Sequence, residues 1–295
     1  MIRTNFRADL VAYIDARLAG LGFEPSSAGE ARESVPRYVM LLIRALRRMP
    51  AVTPRRVVRA AEFSVPDVHE AGFQALASAV ERGETLRPWL SVSVADLATH
   101  DRLLDDWGIH HFHLSVAPHP RRPGFVERTD EVAFAMVHPD TIYFLVATSH
   151  DRRRAPLVWT QPLLVDLVHR NWPALLDTPV SGSNAEGMSA EEHAKFRKCH
   201  VNVGVATSSG TTYYPPGGGI MSNGDSARDY MYQMRVLRQV EHLEALVEHY
   251  EAQIRTNLAV PDGGELELKA QFQIEYPEGP FVQVYDPVRD VALVF

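Results

Sequence analysis

The sequence predicts an α+β fold, in which helices and antiparallel strands occupy different parts of the chain. Three observations support this class: apolar residues recur at helical spacing early in the chain, short runs of branched and aromatic residues follow, and a strictly alternating strand lies near the end. The chain has 295 residues, of which 45% are hydrophobic and 23% charged. Those values are typical of a globular protein with a sizeable core.

The N-terminal region, residues 1–95, is expected to be helical. The spacing of its apolar residues predicts helices over 6–21, 38–48 and 66–82, and a fourth over 94–107 at the boundary of the next region.

A central region, residues 96–176, is expected to form the core that carries the candidate site. Three runs rich in aromatic and branched residues predict strands over 109–116, 131–137 and 141–148, and a helix over 162–172 follows them. Pro139 lies in a turn signal between the second and third strands, which predicts a hairpin. We therefore expect a central antiparallel sheet packed on helices.

The rest of the chain is predicted to be a Gly/Ser/Pro-rich loop region over 177–225 and a helical and β unit over 226–295. An apolar stripe predicts one helix over 226–258, about 50 Å long at 1.5 Å per residue. Because that length is large for a core helix, we expect a homo-oligomer formed through it. Strict alternation then predicts a C-terminal antiparallel meander over 265–276, 281–285 and 291–295.

The charges are unevenly distributed along the chain. Of the 30 basic residues, 27 are Arg, and residues 1–60 carry a balance of +6 although the whole chain carries −7. An Arg-rich surface suits anions or nucleic acid, but a preference for Arg codons and ordinary solvated helix faces would give the same composition. No apolar run approaches the roughly 20 residues of a membrane span, and no secretory signal is visible. Cys199 is the single cysteine and cannot form an internal disulfide, which is typical of the reducing cytoplasm, so we expect a cytoplasmic protein without membrane contact. Its thiol is expected to be buried.

Histidines are concentrated in the central region, where seven of the 13 lie between His100 and His150. On a strand, His111 and His113 would point to one face of the sheet and His110 to the other. Imidazoles change charge near neutral pH, so His111, His113 and His150 are candidate catalytic acids and bases.

Arginines close to these histidines suggest a phosphate ligand. Cleavage of RNA by its own 2′-hydroxyl requires a base, an acid and cations at the phosphate, and it requires no metal. Arg121 and Arg128 follow the first histidine-bearing strand and Arg153 follows the third strand, and each guanidinium can donate two hydrogen bonds to phosphate. The leading hypothesis is therefore a metal-independent endoribonuclease without a cofactor, with RNA as its partner.

Two alternatives stay open. In the first, the protein is a non-catalytic assembly or regulatory module and its histidines are structural. In the second, it is a metalloenzyme with histidine ligands, although no diagnostic spacing is present. The additional candidate ligands are His119, His138, His150, Asp151 and His200.

The segment 101–172 resembles part of an uncharacterised group of bacterial proteins. That group shares Asp-x-x-x-x-x-Trp-Gly-Ile-His-His-x-His-Leu, matched from Asp101 to Leu114, and His-Arg-Asn-Trp-Pro, matched over 169–173. In element order the chain is also similar to RelE/barnase-type ribonucleases of toxin systems. This second resemblance implies RNA cleavage in toxin or phage-defence biology, and it would implicate His111, His113, Arg121, Arg128 and His150.

Overall fold

A computed structural model describes residues 2–24, 29, 31–150, 162–177, 179–180, 188–261 and 263–294. The helices are α1 (Phe6–Gly20), α2 (Val35–Arg48), α3 (Asp67–Arg82), α4 (Arg102–Trp107), α5 (Pro162–Asn171), α6 (Ala190–Lys198), α7 (Ala227–His249) and α8 (Glu251–Asn257). The strands are β1 (Ile2–Thr4), β2 (Arg56–Arg59), β3 (Ile109–His113), β4 (Glu131–Val137), β5 (Thr141–Ser149), β6 (Val205–Ala206), β7 (Thr212–Tyr213), β8 (Leu266–Glu275), β9 (Gly279–Asp286) and β10 (Val291–Leu293). The protein is α+β, as predicted.

Two compact units divide the chain. The first comprises Met1–Arg47 together with Asp229–Phe295, and the second comprises Arg48–Arg228. These boundaries differ from the four regions expected from the sequence, because α1 and α2 belong to the same unit as the C-terminal strands. The sequence pattern is local and could not show that association.

The first unit is built on a sheet with the strand order β1-β8-β9-β10. The predicted meander is present: β8, β9 and β10 pair antiparallel, and the alternating apolar residues of β8 are buried. The sequence did not reveal β1, which pairs parallel with β8. Helix α1 lies against β8, where Asp9 accepts a hydrogen bond from the Ala270 backbone N–H and the Tyr13 hydroxyl accepts one from that of Ile274.

The predicted helix over 226–258 is broken in two. Tyr250, with φ −99° and ψ 16°, separates α7 from α8, so the expectation of one continuous helix of about 50 Å is wrong. Several apolar side chains of α7 are buried, namely those of Tyr232, Val236, Val240, Leu243 and Val247, whereas Tyr230 and Met231 are exposed.

The second unit is built on a sheet with the strand order β2-β5-β4-β3. The strands β3, β4 and β5 pair antiparallel as predicted, and β2 adds a parallel edge beside β5, so the sheet is mixed. An apolar cluster covers each face. One is formed around Phe73 and Leu76 of α3, and the other around Trp107 of α4 and Leu164 of α5.

The expected helix over 94–107 is replaced by a short 3-10 turn at Val92–Ala95 and by α4. The Asp96 side chain accepts a hydrogen bond from the Ala98 backbone N–H. The Asp101 side chain caps α4 by accepting a hydrogen bond from the Leu104 backbone N–H. These capping carboxylates end one turn and start the next helix, which is why the segment is not continuous. None of the described helices has both the length and the apolar character needed to cross a membrane.

Candidate functional site

The strand pairing brings three of the predicted histidines to one end of the central sheet. The strands β3 and β5 flank β4 and run in the same direction, so their C-terminal ends meet at one edge. His113 lies opposite Val132 of β4, and Val132 lies opposite Thr148 of β5. His150 directly follows β5. We call His111, His113 and His150 the histidine cluster.

The rings of the histidine cluster are close neighbours. The ring centroids of His111 and His113 are 6.4 Å apart, those of His111 and His150 are 6.4 Å apart, and those of His113 and His150 are 5.4 Å apart. His110 stacks on Phe112 at 5.8 Å, as strand alternation requires for a residue on the opposite face. The three rings could therefore contact one small ligand together.

His113 is the deepest member of the cluster, with 1% of its surface exposed. Its Nδ1 accepts a hydrogen bond of 3.2 Å from the Thr129 backbone N–H, so the neutral ring carries its proton on Nε2. Burial lowers the pKa of His113 to about 3, and repulsion from Arg128, and from the other two rings when they are protonated, acts in the same direction. Within the described part of the chain, the buried Nε2 has no hydrogen-bond partner. His113 thus offers an N–H donor that no described residue uses.

His111 has a carboxylate beside it. Its Nδ1 lies 3.8 Å from Oδ2 of Asp101, and 14% of its side chain is exposed. Burial lowers the pKa of His111, whereas the Asp101 charge opposes that effect. His111 is therefore neutral near pH 7, and Asp101 would stabilise the charge that the ring acquires on taking up a proton. Asp101 is held in place because its other oxygen caps α4.

His150 is joined to Arg128. Its Nδ1 donates to the Asp130 carbonyl at 2.7 Å, since a carbonyl can only accept. Its Nε2 lies 3.3 Å from Nη2 of Arg128, and a guanidinium can only donate. His150 is therefore neutral in this arrangement, and the exposed Arg128 is the cation next to the cluster.

The other predicted arginines are not brought to the cluster in the described residues. Arg121 lies in an exposed turn, where its backbone N–H donates to Nδ1 of His119, and no contact in the described chain joins its guanidinium to the cluster. Arg153 lies outside the described residues, as does Asp151. Of the three arginines predicted to bind substrate, the geometry therefore supports Arg128.

The alternative of a metal centre has no assembled ligand set. Among the residues that the structure describes, no group of three or more His, Cys, Asp or Glu side chains is arranged to hold a metal ion. His138 lies beyond β4 at the far end of the strand, and Nδ1 of His200 hydrogen-bonds to the Ser222 carbonyl. Cys199 is exposed at the end of α6, so the expectation of a buried thiol is wrong.

Two contributors to the site were missed by sequence reasoning. Asp101 was part of the quoted motif, and its position before a short helix that leads into the histidine strand is a signal that could have identified it. Thr129 acts through its backbone N–H, which every residue except proline has, so no residue type could have indicated it.

Comparison of the chain with protein-family models, with curated proteins and with solved structures gives no match in any of the three. The resemblances drawn from the sequence motifs therefore stay predictions, and an argument for function has to rest on the geometry of the site.

Proposed function

We propose that the histidine cluster cleaves the phosphodiester backbone of RNA by metal-independent acid–base catalysis. The observation that carries the proposal is the meeting of three imidazole rings, with centroids 5.4 to 6.4 Å apart, beside the guanidinium of Arg128. Such a set supplies a base, an acid, a fixed hydrogen-bond donor and a cation. Attack of a 2′-hydroxyl on phosphorus requires these groups.

In this mechanism His111 is the general base. It is neutral at rest, and the Asp101 carboxylate 3.8 Å away favours the imidazolium that forms when the ring takes the 2′-hydroxyl proton. The resulting 2′-oxygen attacks the adjacent phosphorus, so an O2′–P bond forms.

His113 and Arg128 bind the non-bridging oxygens of the phosphate. The Nε2–H of His113 is a donor that no described residue uses, and donors that are already in place stabilise charge as it develops. Arg128 is exposed and is bonded to a neutral ring, so an anionic phosphate is a stronger partner for its guanidinium.

His150 is the general acid. When Arg128 turns to the phosphate, Nε2 of His150 is released, and in this mechanism it carries a proton in the reactive complex. The P–O5′ bond then breaks, and the leaving 5′-oxygen takes the Nε2 proton. The products are a 2′,3′-cyclic phosphate and a free 5′-hydroxyl.

The test is cleavage of a single-stranded RNA by the full chain in excess EDTA. We expect products with 2′,3′-cyclic phosphate ends, and we expect the rate to fall by about 100-fold or more in His111→Ala and His150→Ala. His138→Gln, a change at the far end of β4, is the matched control and should retain the full rate. An oligonucleotide with a 2′-deoxy group at each cleavage site should stay intact. Intact RNA with stoichiometric wild-type protein would rule the proposal out.

The setting that we propose for this activity is the cytoplasm, in toxin or phage-defence biology, with RNA as the partner. A second proposal is a homo-oligomer through residues 226–258. It is supported by the exposed apolar side chains of Tyr230 and Met231, with 40% and 58% of their surface accessible. Light scattering at micromolar concentration tests it: a dimer that dissociates in Met231→Lys supports it, and a wild-type monomer contradicts it.

A further inference from the structure

A second group of polar side chains lies in the second unit, where the β6–β7 hairpin meets α5. Val205 of β6 and Tyr213 of β7 are buried in the same apolar cluster as Leu164 and Val165 of α5. This packing fixes the hairpin against the helix. The tip of the hairpin, residues 207–211, carries four hydroxyl side chains.

One of those hydroxyls forms a chain with a histidine and a tyrosine. Oγ of Ser209 lies 2.9 Å from Nε2 of His169, and Nδ1 of His169 lies 2.9 Å from the hydroxyl of Tyr213. Ser209 is exposed, whereas Tyr213 is 3% exposed. A nucleophile within reach of a base, with a third group orienting that base, is the arrangement of an activated serine.

The hairpin tip is anchored next to this chain. The backbone N–H and the hydroxyl of Ser208 both donate to Oδ1 of Asp166 at 2.8 Å. Partial burial opposes ionisation of Asp166, but these hydrogen bonds and the charge of Arg170 hold its pKa below the usual value. Since Asp166 and His169 are three residues apart on α5, they lie on the same side of the helix, and the anchor keeps Ser209 at the imidazole.

The charges beside the Ser209–His169–Tyr213 hydrogen-bond chain favour a neutral substrate. Among the described residues, Arg170 is paired with both Asp166 and Glu62, so this ion-paired group carries one positive and two negative charges. An anionic phosphate would be repelled there, whereas an uncharged ester would not.

We propose that Ser209 is a nucleophile that accepts an acyl group from a carboxylic ester, with His169 as its base and Tyr213 as a positioning residue. In the reactive tautomer, Nδ1–H of His169 donates to the Tyr213 oxygen, and Nε2 accepts the Ser209 proton. A bond forms between Oγ and the acyl carbon, and the bond from that carbon to the leaving oxygen breaks. The Ser209 proton passes to Nε2 and then to the leaving alcohol. This site is separate from the histidine cluster and does not depend on the ribonuclease proposal.

The test uses p-nitrophenyl acetate and the full chain. We expect an initial burst of one nitrophenolate per chain and an acetyl group on Ser209 when peptides are mapped by mass spectrometry. The burst should vanish in Ser209→Ala and slow by about 100-fold in His169→Gln. Ser93→Ala, which removes another exposed serine of the same unit, should behave as wild type.

The role of Tyr213 is tested separately. In Tyr213→Phe the maximal acylation rate should fall, while the ester concentration that gives half of that rate stays unchanged, because the phenol acts through His169. Acetyl groups found only at other positions in the wild-type chain, or an unchanged burst in Ser209→Ala, would overturn the proposal. Mapping the wild-type chain requires no variant, so a folding defect in a variant cannot hide the answer.

Discussion

Thr129 fixes the tautomer of His113. Its backbone N–H donates to Nδ1 of the ring across 3.2 Å, while its hydroxyl accepts the Leu114 backbone N–H at 3.0 Å and donates to the Glu131 carbonyl. The end of β3 and the start of β4 are therefore linked through one residue. A ring that is held at one nitrogen presents the other in a defined direction, which is what a catalytic hydrogen-bond donor requires.

The low pKa of His113 predicts a loss of stability in acid. A histidine in the unfolded chain has a pKa near 6.5, whereas burial lowers the folded value to about 3. The unfolded state therefore binds more protons between these values. The contribution of the neutral His113 to the free energy of unfolding is fully present above about pH 6.5 and is lost as the pH falls toward 3. Within that window the free energy of unfolding should fall by about 1.4 kcal/mol per pH unit from this group alone.

Urea unfolding between about pH 7.5 and 5 measures this slope. The His113→Asn variant does not titrate in that range and should show a shallower pH dependence than the wild type. An identical slope in both proteins would contradict the assignment of the low pKa to His113.

Replacing Asp101 with Asn should separate its two roles. Asparagine still caps α4, so the thermal midpoint should change little. The charge that opposes the effect of burial on His111 is lost, so the pKa of His111 should move further down. We expect the ¹H NMR titration of His111 to shift to lower pH and RNA cleavage to slow by about 10-fold. Asp140→Asn, on the exposed hairpin turn, is the control, and an equal shift there would refute the role of Asp101.

Close packing of α3 on the backbone that directly follows β3 predicts that one added methyl group is strongly destabilising. A Cβ on Gly72 would lie 2.2 Å from the Leu114 carbonyl oxygen, so backbone would have to move in Gly72→Ala. Overpacking of this kind costs about 1–3 kcal/mol or more. Gly20→Ala provides the contrast, because nothing lies within 4 Å of the added carbon. Thermal unfolding should show a lowered midpoint only for Gly72→Ala, and equal midpoints would contradict the close approach.

A buried ion pair in the first unit predicts a non-additive double mutant. Nη2 of Arg47 lies 3.0 Å from Oδ2 of Asp229, and their side chains are 9% and 1% exposed. Asp229→Ala leaves a buried guanidinium without this partner and should destabilise the protein by about 3–5 kcal/mol. Adding Arg47→Met should recover much of that loss in urea unfolding. A double mutant as unstable as the sum of the two single mutants would show that the pair is not coupled.

The spacing of apolar residues along the sequence correctly predicted features that depend only on neighbouring residues. The limits of β4 and the alternation of β8 follow from side-chain spacing, and the shared face of His111 and His113 follows from the geometry of a strand. The parallel pairings of β1 and β2 join segments far apart in the chain, and no local pattern encodes them. The approach of His150 to the other two rings depends on strand register, which the sequence did not fix.

The first unit is built from two segments, one from each end of the chain, so its two parts are synthesised at different times. Asp9 of α1 and its hydrogen-bond partner Ala270 are separated by 261 residues, and the whole of the second unit is translated between them. When residue 228 has just been added, the nascent chain therefore contains α1 but not β8, the strand against which α1 lies. Until β8 has been synthesised, Tyr13 of α1 lacks both its ring contact with Phe272 and its hydrogen bond to the Ile274 backbone N–H.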